Sequence, residues 1–297
     1  MDNPNSEKIN VHMFWAYGQL SQLERLSLSS FIANDYKVTL WSYDQIKNAH
    51  PQAILKDARE IIPEALFFTH ENKSPSGFAN LFRYSIFTNY SGLYADLDVI
   101  ALKKACFLPK HPFLVSERAK THRNQQLNIL AKNTFKNFIL LKKFFKCNSV
   151  TYDKFLNFPN PKKQFCLSQD ISVCSIKVNN NVFYNPNPEK GDIIDFCRVF
   201  AETISPKKIA PGHTGPFYMS CLFDHFPELG FQIMEPSFAN PIDLQKCPQS
   251  LLKHDLSPIK NSHFLHCWNG RLSKVGFNKE ATYPKGSLLD TLAKKYL

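Results

Sequence analysis

Two aspartates separated by one residue, Asp96-Leu97-Asp98, close an apolar run, LYADLDVI, from Leu93 to Ile100. Two adjacent carboxylates repel each other unless a cation or other bound groups compensate them. Hard divalent cations such as Mn²⁺ or Mg²⁺ take oxygen ligands, and Mg²⁺ is often shared between carboxylates and phosphates. If the run is a strand, alternation points Asp96 and Asp98 to the same side. A second group of chemically able residues lies near the C-terminus: His263, His266, Trp268, Asn269 and Arg271. A neutral imidazole can ligate a metal, a protonated one can hold phosphate, and an indole supplies an N–H and a stacking face. Trp15 ends the first apolar run and could stack on a flat ring.

The elements around the acids set their reach. Residues 76–90 read as a helix with Phe78, Leu81, Phe82 and Ile86 on one face. Asn80, Arg83 and Phe87 fall on the opposite face, which the reading leaves exposed. Gly92 makes the turn into the acidic run. Arg83 could therefore add charge-assisted hydrogen bonds to an anion held near Asp96 and Asp98.

Upstream, residues 9–15 (INVHMFW) and 38–43 (VTLWSY) read as strands. Residues 20–32 between them read as a helix opened by the S-x-x-E capping box of Ser21 and Glu24. Residues 52–62 read as a helix stopped by Pro63. A β-α-β opening argues for a parallel sheet flanked by helices. Further strands are expected over 112–116, 126–131 and 173–184, and helices over 134–146, 192–204, 215–226 and 287–296.

The 297 residues fit one large α/β domain or two small ones. With no repeat, low-complexity stretch or linker, the expectation is one domain, 1–297. No run is long and apolar enough for a membrane span, and residues 1–8 are polar. The chain is expected to stay in the cytoplasm. None of the eight cysteines forms a C-x-x-C pair, so they read as reduced thiols, mostly in the core.

The formal charge of +11 is concentrated. Residues 118–163 carry eleven Lys or Arg and one acid, Asp153. Such a block, read as a mostly helical or loop insertion, is either a solvated face or a surface for an anionic partner. Phe135, Phe138, Leu141 and Phe145 can share one side of the 134–146 helix, with Lys136, Lys143 and Lys146 elsewhere. That pattern suits peripheral contact with an anionic membrane. No nucleic-acid motif or base-stacking platform accompanies the block, so nucleic acid is not an expected partner.

The segments VHMFWAYGQLSQLERLSLSSF, FANLFRYSIFTNYSGLYADLDV, HTGP and HCWNGRLSKVGFNKEATYPKGSLLDTL together resemble the bacterial D-x-D glycosyltransferases of the GT-A fold. The nearest group is family 32 and its neighbours: α-1,4-galactosyl- and N-acetylglucosaminyltransferases, mannosyltransferases and the glucosylating clostridial toxins. The resemblance implies a Rossmann-like mixed sheet flanked by helices, a nucleotide-sugar donor (most often UDP-linked), and a carbohydrate or lipid-linked acceptor. It implies Mn²⁺ or Mg²⁺ held by Asp98 as principal ligand, with Asp96 serving metal and sugar and His266 approaching the metal. Arg83 and Tyr94 would contact donor sugar or phosphates, Trp15 would stack on the base, and Trp268 and Asn269 would close over the diphosphate. Thr214, Gly215 and Pro216 match a turn on the acceptor side. Asn80 stands where many relatives have Asp, which bears on donor identity. Relatives retain anomeric configuration, and no carboxylate nucleophile is evident here.

Two rival readings fit less of the sequence. A strand followed by D-x-D-V also resembles the first motif of haloacid-dehalogenase-type phosphatases, with Gly191-Asp192-Ile193-Ile194-Asp195 as a later acidic motif. That reading would need its first motif near the start of the fold and an apolar strand before its second acid pair, and it gives the H-x-W-N tail no role. The chain could also be a non-catalytic module that binds an anionic surface through its basic block.

Overall fold

The computed structural model describes residues 8–70, 74–118, 176–203, 213–217, 219, 230–280 and 282–297. The basic segment's expected elements at 126–131 and 134–146 lie outside these residues, as does most of the helix expected over 215–226. The described strands are β1 (Asn10–Phe14), β2 (Lys37–Ser42), β3 (Ile54–Asp57), β4 (Gly92–Ala95), β5 (Val99–Ala101), β6 (Phe113–Arg118), β7 (Ile176–Asn185), β8 (Gln232–Met234) and β9 (Phe264–His266). The helices are α1 (Gln22–Ala33), α2 (Ser76–Ser85), α3 (Ile193–Thr203), α4 (Pro236–Ala239), α5 (Cys247–Leu251), α6 (Asn269–Lys274) and α7 (Leu288–Tyr296).

A seven-stranded mixed sheet runs in the order β3-β2-β1-β4-β7-β6-β8, and β5 and β9 form a second, two-stranded sheet. The chain has the expected α/β class, a mixed sheet flanked by helices. β3, β2, β1 and β4 are mutually parallel, and β7 is antiparallel to both β4 and β6. Alternation along β1 sends Val11 and Met13 to one face and Phe14 to the other. Val11 and Met13 pack with Leu28, Phe31, Val182 and Phe264 on the α1 side. Phe14 packs with Phe78, Phe82, Phe183 and Phe200 under α2 and α3. The outer side of α1 buries Leu23 and Leu26 against Leu251, Leu288 and Leu292. Leu288 begins the helix that Ser287 caps by accepting from the Asp290 N–H at 3.2 Å.

The expected capping box opens α1: Glu24 accepts the Ser21 backbone N–H at 3.0 Å. Residues 52–62 depart from expectation. Ile54–Asp57 is a strand in parallel register with β2, Thr39 opposite Ile54, followed by one short helical turn. The sheet edge offered by β2 satisfies these backbone groups better than an isolated helical turn would. α2 is also shorter than expected and continues as a single tighter turn, Ile86–Thr88. Its polar face is not exposed: Asn80, Arg83 and Phe87 are 4%, 5% and 6% accessible. β7 and α3 cover that face, and no local pattern shows that cover. Four cysteines in the described residues are free thiols, with Cys197, Cys247 and Cys267 buried and Cys106 exposed. No helix among the described residues is long and apolar enough to cross a membrane.

Candidate active site at the seam between two sheets

β1 and β4 are parallel neighbours, and β2 and β3 lie on the far side of β1. Strand order thus reverses direction beside β1, and the carboxyl ends of such strands form a crevice in α/β sheets. Trp15 follows β1 and Asp96 follows β4, so both stand on that edge. Asp96-Leu97-Asp98 is a turn and not the continuous strand expected: the Val99 N–H bonds the Asp96 carbonyl at 3.0 Å. The turn transfers the chain from one sheet to the other. The Asp96 N–H still donates to Asn181 of β7 at 2.9 Å, whereas the Asp98 carbonyl accepts from Cys267, after β9, at 2.7 Å. Strand alternation therefore does not set the directions of these two side chains, and each acid acquires its own partners.

Asp96 is held from the α2 side. Arg83 Nη2 lies 2.8 Å from Asp96 Oδ1, and the Tyr94 hydroxyl donates to the same oxygen at 3.1 Å. Arg83 also donates to the carbonyls of Asn180 (2.6 Å) and Ala79 (3.2 Å), and its guanidinium lies 4.9 Å from the Tyr94 ring centre. Tyr94 is itself buried and stacked on Phe183. Its hydroxyl is committed to Asp96, so it reaches the site through that carboxylate.

Asp98 is held from the β9 side. Its Oδ2 accepts the backbone N–H of Asn269 at 2.6 Å and faces His266 Nε2 at 3.3 Å. Trp268 takes a left-handed backbone (φ 54°), which turns the Asn269 N–H at the start of α6 toward the acid. The Trp268 indole N–H donates to Ile242 O at 2.9 Å, and its ring lies 4.0 Å from that of His266. Asn269 Oδ1 is buried without a hydrogen-bond partner. His266, not His263, reaches the acids. His263 stacks on Phe238 and bonds Phe107 O at 3.0 Å.

Behind Arg83 lies an amide network. Asn80 donates to Thr214 Oγ1 at 3.2 Å and accepts from Asn180 Nδ2 at 2.9 Å. Asn180 also donates to the Tyr84 hydroxyl at 2.6 Å, which donates to the Thr214 carbonyl at 3.1 Å. Gly215 is pressed against this network: a Cβ there would stand 2.8 Å from Asn80 Nδ2. The Thr214-Gly215-Pro216 turn is thus tied to α2 and β7, and Asn80 spends its amide on that tie. Asn180, Asn181 and Asn240 carry much of the site's support. For Asn180 and Asn181 the one sequence signal is N-N-N at 179–181, a polar run inside a buried strand, and Asn240 has none.

Trp15 is half-buried, its indole N–H donating to Gly18 O at 3.1 Å, and Lys279 Nζ lies 5.6 Å from its ring centre. Lys279 pairs at 2.6 Å with Glu24, which is buried, and Glu24 also faces Asn269 Nδ2 at 3.5 Å. Trp15 is thus linked to the C-terminal group through Lys279, which pairs with the buried Glu24 that Asn269 also faces.

The two acids differ electrostatically. Burial holds Asp96 above the ordinary carboxylate range, with Arg83 offsetting part of the cost and Asp98 adding to it. Burial would raise Asp98 too, but His266, the Asn269 N–H and Arg83 outweigh it and hold Asp98 below that range. His266 is raised, because the Asp98 charge overcomes burial. Among the described residues, no three His, Cys, Asp or Glu side chains form a preassembled metal cage. The donor set nonetheless fits a hard or borderline divalent ion sharing phosphate ligands: two carboxylates, each with one oxygen free of protein partners among the described residues, and one imidazole nitrogen. The acidic motif at 192–195 does something else. Asp192 accepts the Ile194 and Asp195 N–H groups at 2.8 Å at the start of α3, and Asp195 pairs with Arg198. It is a helix-capping motif, which leaves the phosphatase reading without its second acid pair.

Residues 27–120 match the model of a family described as the glycosyltransferase sugar-binding region containing the DXD motif. Asp96 and Asp98 fall inside that stretch, and the chain is a glycosyltransferase. No curated protein matches the chain. Among solved structures, the PaToxG glycosyltransferase is similar at 15% identity, over 74% of this chain and 70% of that one, TM-score 0.40. The apo glycosyltransferase GlyE of Streptococcus pneumoniae TIGR4 is similar at 15% identity, over 98% and 60%, TM-score 0.45. Mouse xyloside xylosyltransferase 1 is similar at 12% identity, over 88% and 98%, TM-score 0.38. The chain thus spans 60% of the length of the pneumococcal structure.

Proposed function

We propose that the chain is a single-domain, retaining, metal-dependent glycosyltransferase of the GT-A fold, similar to family 32. It would move a hexose or N-acetylhexosamine from a UDP-linked donor to a glycan, glycolipid or polysaccharide acceptor. The observation that carries this reading is the division of labour at the seam: Asp98 faces His266 and an N–H donor, while Asp96 is locked to Arg83.

A divalent ion held by Asp98, Asp96 and His266 would neutralise the charge that develops on the departing diphosphate. The protein's own groups do the rest. Arg83, buried and always charged, holds Asp96 in place and keeps positive potential beside the leaving group. The Asn269 N–H and the His266 ring orient Asp98. Trp15 offers a face for the base on the same edge, beside Lys279. The Thr214 turn stands on the acceptor side, fixed by Asn80 and Asn180. In transfer, the anomeric carbon–phosphate oxygen bond breaks and the acceptor oxygen bonds the same face. The acceptor proton passes to the departing diphosphate.

Hydrolysis of UDP-Gal, UDP-GlcNAc, UDP-Glc and GDP-Man with Mn²⁺ tests the donor, and the product anomer tests the stereochemistry. An α-linked product from an α-linked donor supports retention, and a β-linked product overturns it. The basic segment 118–163 would set the cytoplasmic enzyme beside an anionic membrane and a lipid-linked acceptor. Salt-sensitive flotation with anionic vesicles should weaken when Lys136, Lys143 and Lys146 are neutralised.

A further inference from the structure

Asn240 touches neither acid, yet it meets three elements that build the site. Its Nδ2 donates to the Ser116 carbonyl of β6 at 2.9 Å. Its Oδ1 accepts from Asn181 Nδ2 at 3.1 Å and lies 3.0 Å from His266 Nδ1. Asn240 is 1% accessible, and its backbone N–H is fixed at the end of α4 by Pro236 O at 2.8 Å.

These contacts allow one arrangement of hydrogens. A carbonyl only accepts, so the amide nitrogen must face Ser116 and the amide oxygen must face His266. An amide oxygen only accepts, so the hydrogen between the two must sit on His266 Nδ1. The neutral ring then carries its lone pair on Nε2, which stands 3.3 Å from an Asp98 carboxylate oxygen. A lone pair and a carboxylate so placed need a positive centre to share.

We propose that Asn240 is a positioning residue for the cation site: it fixes His266 in the Nδ1–H tautomer, so that Nε2 is presented beside Asp98 as a metal ligand. This rests on the proposed cation site at Asp98. A partner on the second ring nitrogen commonly sets tautomer and orientation in ligating histidines, and losing it typically weakens metal affinity about 10–100-fold.

The test compares wild type, Asn240→Ala, Asn240→Asp and Asp98→Asn. Nitrogen–proton correlation spectra of the imidazole, at a pH where the ring is neutral, report the tautomer without metal. Mn²⁺ titrations, alone and with UDP, report affinity. Wild type should show Nδ1–H. Asn240→Ala should shift toward Nε2–H and bind Mn²⁺ about 10–100-fold more weakly. Asn240→Asp, which keeps an acceptor facing Nδ1 but sets its other oxygen against the Ser116 carbonyl, should keep the Nδ1–H tautomer and lose less Mn²⁺ affinity than Asn240→Ala. Urea unfolding of each variant separates loss of fold from loss of the site. An unchanged tautomer and affinity in Asn240→Ala, with Asp98→Asn still losing Mn²⁺, overturns the role of Asn240 alone. Equal losses in Asn240→Asp and Asn240→Ala also overturn it. Wild type and Asp98→Asn binding Mn²⁺ identically would remove the cation site, and this proposal with it.

Discussion

Arg83 and Asp96 form an ion pair, Nη2 to Oδ1 at 2.8 Å, with Tyr94 serving both partners through its ring and its hydroxyl. The guanidinium is almost fully buried and donates from Nε and Nη1 to the carbonyls of Ala79 and Asn180. Arg83→Met should therefore leave Asp96 without its counter-charge. Breaking one partner of a buried pair costs about 3–5 kcal/mol. Because the Asp96 side chain keeps some solvent contact, the loss expected in urea unfolding is at the low end of that range. Arg83→Lys should recover part of it but not the carbonyl contacts, since an ammonium lacks the planar fork.

Asp98→Asn should leave the fold nearly intact, because an amide oxygen can still accept the Asn269 N–H. Donor hydrolysis and its dependence on Mn²⁺ should both disappear. Full activity in that variant would refute the metal reading. Asp96→Asn is expected to differ: it leaves Arg83 unpaired, so stability should fall along with activity.

His12 supplies a pH dependence away from the site. Its Nε2–H donates to Ser91 O at 3.2 Å, and its Nδ1 accepts the Trp41 indole N–H at 3.3 Å. Protonation would set two N–H groups against each other. Burial is the main reason its pKa falls to about 4 from 6.5, with Lys56 adding to it. The unfolded chain therefore binds a proton between pH 6.5 and 4 that the native state does not. This contribution is fully present above pH 6.5 and is lost as pH falls toward 4. At about 1.4 kcal/mol per unit, the loss is roughly 3 kcal/mol. In His12→Gln that part of the pH dependence should vanish from chemical denaturation curves. An identical slope in the variant would refute the assignment.

Two glycines should separate fold from site. Gly92 has φ 127°, and a Cβ there would stand 2.5 Å from the Asn10 carbonyl oxygen in β1. Gly92→Ala should destabilise the whole chain by about 3 kcal/mol, from backbone strain and the forced parting of β1 and β4. At Gly215 the collision is with the Asn80 and Asn180 amides, which can move. Gly215→Ala should keep donor hydrolysis and raise KM for the acceptor. Equal damage to both steps would show that the turn does not belong to the acceptor side.

The sequence by itself determined the local parts of this protein. Apolar spacing placed β1, β2 and most of α2, and the Ser21–Glu24 box began α1, because such patterns act within a few residues. The types of Asp96, Asp98, Arg83 and His266 stated what chemistry they could do. Tertiary structure decided the rest. Ile54–Asp57 became a strand because β2 offered an open edge, and Arg83 was buried because β7 and α3 covered its face. Asp96 and Asp98 parted company because the turn between them crosses from one sheet to another. Asn269 reaches Asp98 across 171 residues of chain, and Asn180 reaches Asn80 across 100. Contacts at such separations depend on how two sheets and their covering helices meet, and no periodicity within one segment encodes that meeting.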